Sequence, residues 1–392
     1  MSDLDPRSPE GAPPGASRTE AQATGFLDER HLELKRRAQA WAAAARLEEE
    51  HDPRRLVERL AEGELLRACV PAAFGGLRER VELRDLTVLR AVLGYRSSLA
   101  DTMFAMQGLG SYPVTLAGTD GQRAALLPRV ARGEAICAFA ITEPEAGSDV
   151  SGIATRAVRD GDSYLLDGEK TFISNAGIAD HYVVFARTAD DRHRGISAFC
   201  VEGGANGLTT TPIELIAPHP IGTVRFAGCR IPVSARLGEE GDGFKLAMAT
   251  LDFFRTSVGA AAVGMAARAR DEAIARVKTR RQFGKPLAEF QATQIAIAEM
   301  AMDVAASTLL VLSAAHRLDV TAAPSAVDAA MAKLYATEAA QRVIDRAVQL
   351  HGGQGVVAGA IVERLYREVR ALRIYEGTSE IQKLVIARSL LR

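Results

Sequence analysis

Near the C-terminal end of the chain, the stretch RIYEGTSEIQ (373–382) sets one carboxylate, Glu376, between the pair Ile374–Tyr375 and Gly377. A glutamate at a helix boundary ordinarily answers the helix dipole or is simply solvated. Here the upstream residues Val362, Leu365, Tyr366, Val369 and Leu372 recur at helical spacing, and Ser379 with Gln382 has the form of a capping box opening a last helix. Glu376 is thereby expected in a short helix-to-helix joint, where Gly377 permits a positive φ and its neighbours make the surroundings partly apolar. Desolvation raises a carboxyl pKa, and a raised pKa suits a general base.

Four further stretches carry groups able to hold a ligand. AITEPEAGSDV, from Ala140, places the Thr142 and Ser148 hydroxyls and the Gly147 amide after a strand-length apolar run; they are donors for an anionic or heteroaromatic ligand, or an ordinary polar turn. GEKTFISNAG sets Phe172 beside Ser174, a ring to stack and a hydroxyl to donate, although a strand phenylalanine is commonly core. TRRQFGKPLAEFQ gathers Arg280, Arg281, Gln282, Phe283 and Gln291 around a Gly-Lys-Pro break, which suits a diphosphate and an adenine and equally the C-terminal dipole of a helix. QLHGGQG ends an amphipathic pattern on paired glycines, Gly352 and Gly353, either a plain C-cap or backbone laid bare for a ligand.

The elements that must position these groups fall into an α, β, α order. The segment 1–25 is rich in Pro, Gly, Ser and Ala and reads as a disordered tail. Residues 26–132 read as an all-helical domain, 133–240 as a β-domain with Asp-Gly turn signals at 160–161 and 167–168, and 241–392 as a helical bundle. No P-loop and no G-x-G-x-x-G after a strand is present, so no Rossmann site is indicated. With 392 residues, 47% hydrophobic and 25% charged, the composition is that of a soluble globular protein of two or three domains. A net charge of -1 offers no global attraction to nucleic acid, and such binding is not expected. Cys69, Cys137, Cys200 and Cys229 form no C-x-x-C pair and the histidines no H-E-x-x-H, so neither disulfide framework nor metal is signalled. The apolar stretch VGAAAVGMAA, from Val258, is too short for a bilayer, and no signal-peptide core opens the chain; a cytoplasmic protein without membrane insertion is expected.

In this order and spacing, AITEPEAGSD, RRQFGKPLAEFQ, QLHGGQG and IYEGTSEIQ closely resemble the acyl-CoA dehydrogenase family, over about 26–392. The resemblance implies an FAD flavoenzyme with an N-terminal helical domain, a central β-barrel-like domain and a C-terminal four-helix bundle, commonly a homotetramer built as a dimer of dimers. It implies removal of the α-proton of an acyl-CoA thioester by Glu376 while the β-hydrogen leaves as hydride, giving a trans-2-enoyl-CoA, with electron-transfer flavoprotein as acceptor. The thioester carbonyl would be polarised by the backbone N–H at the base position and an FAD hydroxyl. Matched by position, Phe139, Ile141 and Thr142 resemble flavin-ring contacts, Ser148 a contact to pyrophosphate and substrate, and Phe172 with Ser174 the group covering the ring. Many relatives have tryptophan and threonine at those last two positions, which leaves the stacking face and the hydroxyl in place. Arg280, Gln282 and Phe283, with Gln291 in the same stretch, resemble residues reaching a neighbouring subunit's FAD, with Gln349, Gly352 and Gly353 on the adenine-diphosphate side. Thr378 and Glu380 follow the base onto the cofactor. Tyr375, Gly377, Asp252 and Arg255 correspond to substrate-side positions, the last two to holders of the CoA portion.

Some relatives carry the base on an earlier helix, where this chain has Phe254, which accepts no proton. Three alternatives stand beside the dehydrogenase. A non-redox desulfinase typically lacks the base that is intact here. An alkylation-response relative that binds DNA would want a strongly basic terminal domain, and an acyl-CoA oxidase is usually a longer chain. Met103, Phe104, Met106, Phe253 and Phe254 line an acyl pocket or are simply core; a short or medium acyl chain, branched or cyclic forms included, is expected.

Overall fold

A computed structural model of the chain describes residues 24–321 and 325–391; most of the expected N-terminal tail, residues 1–23, lies outside the described residues. Five helices come first: α1 Glu29–Ala44, α2 Pro53–Glu62, α3 Leu83–Arg96, α4 Ser98–Ala117 and α5 Asp120–Ala131. Their ends follow from local chemistry. Asp52 caps α2 by accepting from the N–H groups of Arg54 and Arg55, with Pro53 in the first turn. Ser97 separates α3 from α4, its hydroxyl oxygen accepting from the Ala100 N–H at 3.2 Å, and Thr119 closes a capping box with Gln122 on α5.

The β region consists of β1 Cys137–Ala140, β2 Arg156–Asp160, β3 Ser163–Ser174, β4 His181–Arg187, β5 Ile196–Glu202, β6 Leu208–Pro212, β7 Ile221–Pro232 and β8 Arg236–Leu237. They form one mixed sheet in the order β6-β7-β3-β2-β4-β5-β8, with β1 pairing parallel to β4 so that Phe139 lies opposite Val183. Asp160 and Ser163 close the β2–β3 hairpin over Gly161. The second Asp-Gly signal is not a turn. Asp167 and Gly168 lie inside β3, where the pairing with β7 slips between Leu166 and Gly168 as a bulge and then resumes. A second slip, between Lys170 and Ile173, surrounds Phe172.

The rest is helical: α6 Gly243–Thr279, α7 Gln291–Thr321, α8 Ala326–His351, α9 Ile361–Val369 and α10 Ser379–Leu390, with a small hairpin, β9 Arg281–Gln282 and β10 Lys285–Pro286, joining α6 to α7. α6 packs against both α8 and α3. The contact with α3 is backbone to backbone: a Cβ on Gly264 would stand 2.2 Å from the Ala91 carbonyl oxygen, and one on Gly94 2.6 Å from that of Ala261. That close approach carries Arg90 of α3 to the region of the C-terminal joint. By length and composition α6 and α7 could each cross a bilayer, which the shorter stretch read from the sequence did not suggest. The apolar window of α6 is 67% buried inside the fold and that of α7 only 33%, so α6 is a core helix and α7 keeps an uncovered apolar face.

Candidate active site

Between α9 and α10 the chain makes a 3-10 turn, Arg370–Arg373, and then passes through two left-handed residues in succession, Glu376 at φ +53° and Gly377 at φ +91°. Glycine adopts that conformation freely, whereas for glutamate it costs about 1–2 kcal/mol. Side chains from three directions hold it in place. Arg255 Nε and Gln382 Nε2 each donate to the Glu376 carbonyl oxygen at 3.2 Å. Lys333 Nζ and Gln382 Nε2 donate to that of Gly377 at 2.7 and 2.9 Å. The expected Ser379–Gln382 capping box is not formed, because its members have other partners. Thr378 is the N-cap, its hydroxyl oxygen accepting from the Ile381 N–H at 3.4 Å, while Ser379 donates to Glu338 at 2.6 Å and Gln382 serves the two carbonyls.

The Glu376 side chain is left poised. Its Oε2 has neither solvent contact nor a hydrogen-bond partner. Burial pushes the carboxyl above its ordinary range, against the pull of Arg90, Lys333 and Arg255, and Asp101 pushes the same way as burial. Two of these cations arrive already matched. Arg90 grips Asp101 through Nε and Nη2 at 2.9 and 2.7 Å and donates from Nη1 to Ser257 at 2.9 Å; Arg255 Nη1 lies 2.7 Å from Asp252. Tyr375 is packed against the bundle core, and burial pushes its phenol up. Arg255, expected on the CoA portion, is buried and bound to the Glu376 carbonyl and to Asp252, contacts by which it buttresses the base; Asp252 keeps partial exposure. Met103, Phe104 and Phe254 are at most 2% exposed and pack as core. Phe253, by contrast, stacks on Tyr112 with centroids 4.5 Å apart and remains partly exposed.

The sheet presents a second group. Phe139 and Ile141 are nearly covered, Thr142 partly, and Ser148 lies exposed on the following loop. Phe172, at φ +54° inside a strand, is turned out of the sheet and is 59% exposed. A bulky residue in that conformation is an outlier, and an outward ring held in it points to use. Two residues on, Ser174 Oγ lies 2.7 Å from His219 Nε2, and burial pushes that imidazole down to about 4, so it is neutral near pH 7. The loop after β1 is anchored by Glu143, which accepts from the N–H groups of Ala154 and Thr155 at 2.5 and 2.9 Å and from the buried Lys170 Nζ at 2.7 Å.

Arg280, Gln282 and Phe283 stand elsewhere, at the exposed β9–β10 hairpin, with Phe283 92% exposed at φ +50°. Arg255 and Arg280 lie at the middle and end of one helix, roughly 37 Å apart at about 1.5 Å per residue. Gln291 opens α7 and is exposed. At the end of α8, Gln349, Gly352 and Gly353 are exposed, and a Cβ on either glycine would meet nothing within 4 Å. Glu380 is exposed in the first turn of α10. The donor set fits a flavin dinucleotide: a free aromatic face with hydroxyls for the ring system, and bare backbone with an amide for the adenine and diphosphate. Lys333, Arg90, Glu143, Lys170 and His219 were not singled out in the sequence. Lys333 alone left a signal, as one lysine in the small apolar run AAMAKLYA. His31, Glu82 and Asp85 also gather within 4.8 Å, but Arg30 and Arg78 already pair with the two carboxylates. Surface cavities of about 490 Å³, beside Arg54, Arg129 and His181, and about 270 Å³, beside Trp41, do not include Glu376.

Sequence models of the acyl-CoA dehydrogenase N-terminal, middle and C-terminal domains match residues 24–134, 138–229 and 241–391. The chain is 38% identical over 346 residues to the 3-(aryl)acrylate reductase of Clostridium sporogenes, covering 87% of this chain and 91% of the relative. It is 42% identical over 292 residues, 72% and 76% of the two chains, to the caffeyl-CoA reductase subunit of a reductase–Etf complex from Acetobacterium woodii. The solved butyryl-CoA dehydrogenase of Megasphaera elsdenii superposes with a TM-score of 0.89 at 33% identity, over 93% of this chain and 99% of that one.

Proposed function

Because this chain belongs to the acyl-CoA dehydrogenase family of FAD-dependent oxidoreductases, we propose that it converts an acyl-CoA thioester to its trans-2-enoyl-CoA, with Glu376 as the base and electron-transfer flavoprotein as acceptor. The observation that carries this reading is the Oε2 atom of Glu376, buried without a partner on a joint whose carbonyls Arg255, Lys333 and Gln382 hold. A carboxylate so placed lacks one hydrogen bond, and an α-proton supplies it. When bound, FAD supplies the acceptor for the β-hydrogen and its two electrons. Glu376 takes the α-proton; its own N–H, which has no intrachain acceptor among the described residues, is free to donate to the thioester oxygen as charge develops there. Asp252 keeps a partly exposed carboxylate beside Arg255, and Phe253 on Tyr112 offers an aromatic wall to the acyl chain.

The reductive direction has specific support from the relatives named as reductases. By microscopic reversibility the same Glu376, as the acid, would return a proton to the α-carbon, and a raised pKa serves both directions. Single-turnover bleaching of the flavin by a panel of saturated acyl-CoAs, followed by reoxidation with electron-transfer flavoprotein, tests the dehydrogenase direction. A chain that no saturated acyl-CoA bleaches, but whose reduced flavin is reoxidised by an enoyl- or arylacryloyl-CoA, is a reductase.

The chain also reads as one subunit of a homo-oligomer, with a tetramer the form expected. Ile295, Met302 and Leu310 lie exposed on α7, and the Arg280–Phe283 hairpin is too far along α6 to serve the base of its own chain. Arg280→Glu, placing a negative charge where a diphosphate is expected, should lose flavin and assembly together. A monomer with full flavin content would contradict the trans-subunit role.

A further inference from the structure

We propose that Lys333 is the positioning residue of this site: its ammonium clamps the Gly377 carbonyl and supplies the positive charge around Glu376 that no other carboxylate matches. The proposal rests on Glu376 being the base and deepens that reading. α8 buries Lys333 completely on a face shared with Ala329, Ala330, Ala336, Ala340 and Thr337, whose hydroxyl bonds back to the Lys333 carbonyl. Burying an ammonium costs several kcal/mol, and helix packing alone would be served by an apolar side chain. Its Nζ donates to the Gly377 oxygen at 2.7 Å, and among the described residues it has no carboxylate within 4.0 Å.

The charges facing the pair come from every element packed there. On Glu376 act Arg90 from α3, Asp101 from α4, Arg255 from α6 and Lys333 from α8. On Lys333 act Glu376 first, then Arg255, Glu338 and Glu380. Arg90 is neutralised by Asp101 and Arg255 by Asp252. Glu338 is bound to Arg373 and Ser379, and Glu380 is exposed to solvent. What remains is one cation and one anion: Glu376 is the first charge acting on Lys333, and Lys333 acts on Glu376 second, after the already paired Arg90. Burial pushes Lys333 down to about 8 while Glu376 pulls it up, and burial pushes Glu376 up while Lys333 pulls it down, so each favours the charged form of the other. The same ammonium fixes the second of two left-handed residues, so the base's charge and its direction share one support.

The two roles separate by substitution in the holoenzyme. Lys333→Gln keeps a donor for the Gly377 carbonyl and loses the charge; Lys333→Met loses both; Lys333→Arg keeps the charge. With single-turnover flavin bleaching measured against pH, the acid limb of Lys333→Gln should move about 1–3 units upward and the rate recover at high pH. Lys333→Met should show the same shift and a lower plateau, and Lys333→Arg the wild-type limb. An unshifted limb in Lys333→Gln overturns the charge role, and equal plateaus in the Gln and Met variants overturn the clamp. If the neutral variants do not fold with flavin, the titration of Lys333 decides, followed by the ¹³Cε resonance of labelled lysine in wild type and in Glu376→Gln. Removing the carboxylate should lower the pH at which Lys333 titrates; an unchanged titration overturns the coupling. Normal bleaching by Glu376→Gln would instead remove the base assignment itself.

Discussion

Glu143 and Glu376 are both withdrawn from water, and they have opposite chemistry. Glu143, behind the loop that follows β1, accepts from two backbone N–H groups and from Lys170, which is itself fully buried. Burial pushes that carboxyl up, but the Lys170 charge and the Ala154 N–H outweigh it and hold it below its ordinary range. Glu376 is surrounded by cations too, yet its carboxylate has no direct partner on Oε2, and burial wins. Desolvation is common to both, and hydrogen bonding decides between them. A satisfied buried carboxylate ties loops together, whereas an unsatisfied one on a strained joint is free to change its protonation state.

The largest effect expected from this contrast is on stability. Lys170→Met leaves Glu143 buried without its cation and should cost about 3–5 kcal/mol in denaturant unfolding of the apo-protein. Glu376→Gln, which removes an already disfavoured buried charge, should leave unfolding unchanged or make it slightly less favourable. If both substitutions cost the same, the distinction between the two glutamates fails.

Next in size is Gly377→Ala. At φ +91° a Cβ is strained, and it would stand 2.5 Å from Gln382 Nε2. A loss of about 1–3 kcal/mol is expected, together with slower bleaching as the base is misdirected. An alanine variant of full activity would show that the double left-handed turn does not aim the carboxylate.

The smallest effects are in pH dependence, and their signs differ. The contribution of Glu143 is present above the ordinary carboxylate range and is lost as pH falls through its depressed value, so it appears as acid destabilisation. Glu376 has the opposite linkage: its folded pKa is raised, so acid favours its neutral folded form while switching off the base. The acid limb of substrate bleaching should therefore lie above the value near 4.3 of an ordinary glutamate. A limb at or below it would place Glu376 in the class of Glu143.

Much of this arrangement was legible in the sequence because it is local. Glu376 in a joint, the positive φ at Gly377, the strands around Phe139 and Phe172, and the long C-terminal helices all follow from spacing and residue type. What escaped is made by side chains meeting across the fold. Gln382 matched a capping pattern by spacing, in which its side-chain oxygen would accept from an N–H of the helix start, but its amide nitrogen instead donates to two carbonyls brought close by the left-handed turn. Arg255 matched a substrate position, and its contact with the Glu376 carbonyl, 121 residues away in the chain, left no local mark. Lys170 carries no local signal that distinguishes a buried cation from a solvated one, and the apolar run around Lys333 names no partner for it, since the partners lie 27 and 44 residues away in the chain. Asp167-Gly168 failed as a turn because β3 keeps its partners on both sides of the bulge.

The most direct test of the central claim, that Glu376 is the proton-transferring group and Glu143 a structural one, is stopped-flow bleaching of the bound flavin by the best acyl-CoA substrate in Glu376→Gln. Glutamine keeps the size, the backbone N–H and the carbonyl contacts to Arg255 and Gln382, so flavin and substrate should still bind. The bleaching rate should fall by about 10²–10⁴-fold or more, with reoxidation unchanged. Bleaching within a few-fold of wild type would contradict the account and return Glu376 to an ordinary helix-joint carboxylate.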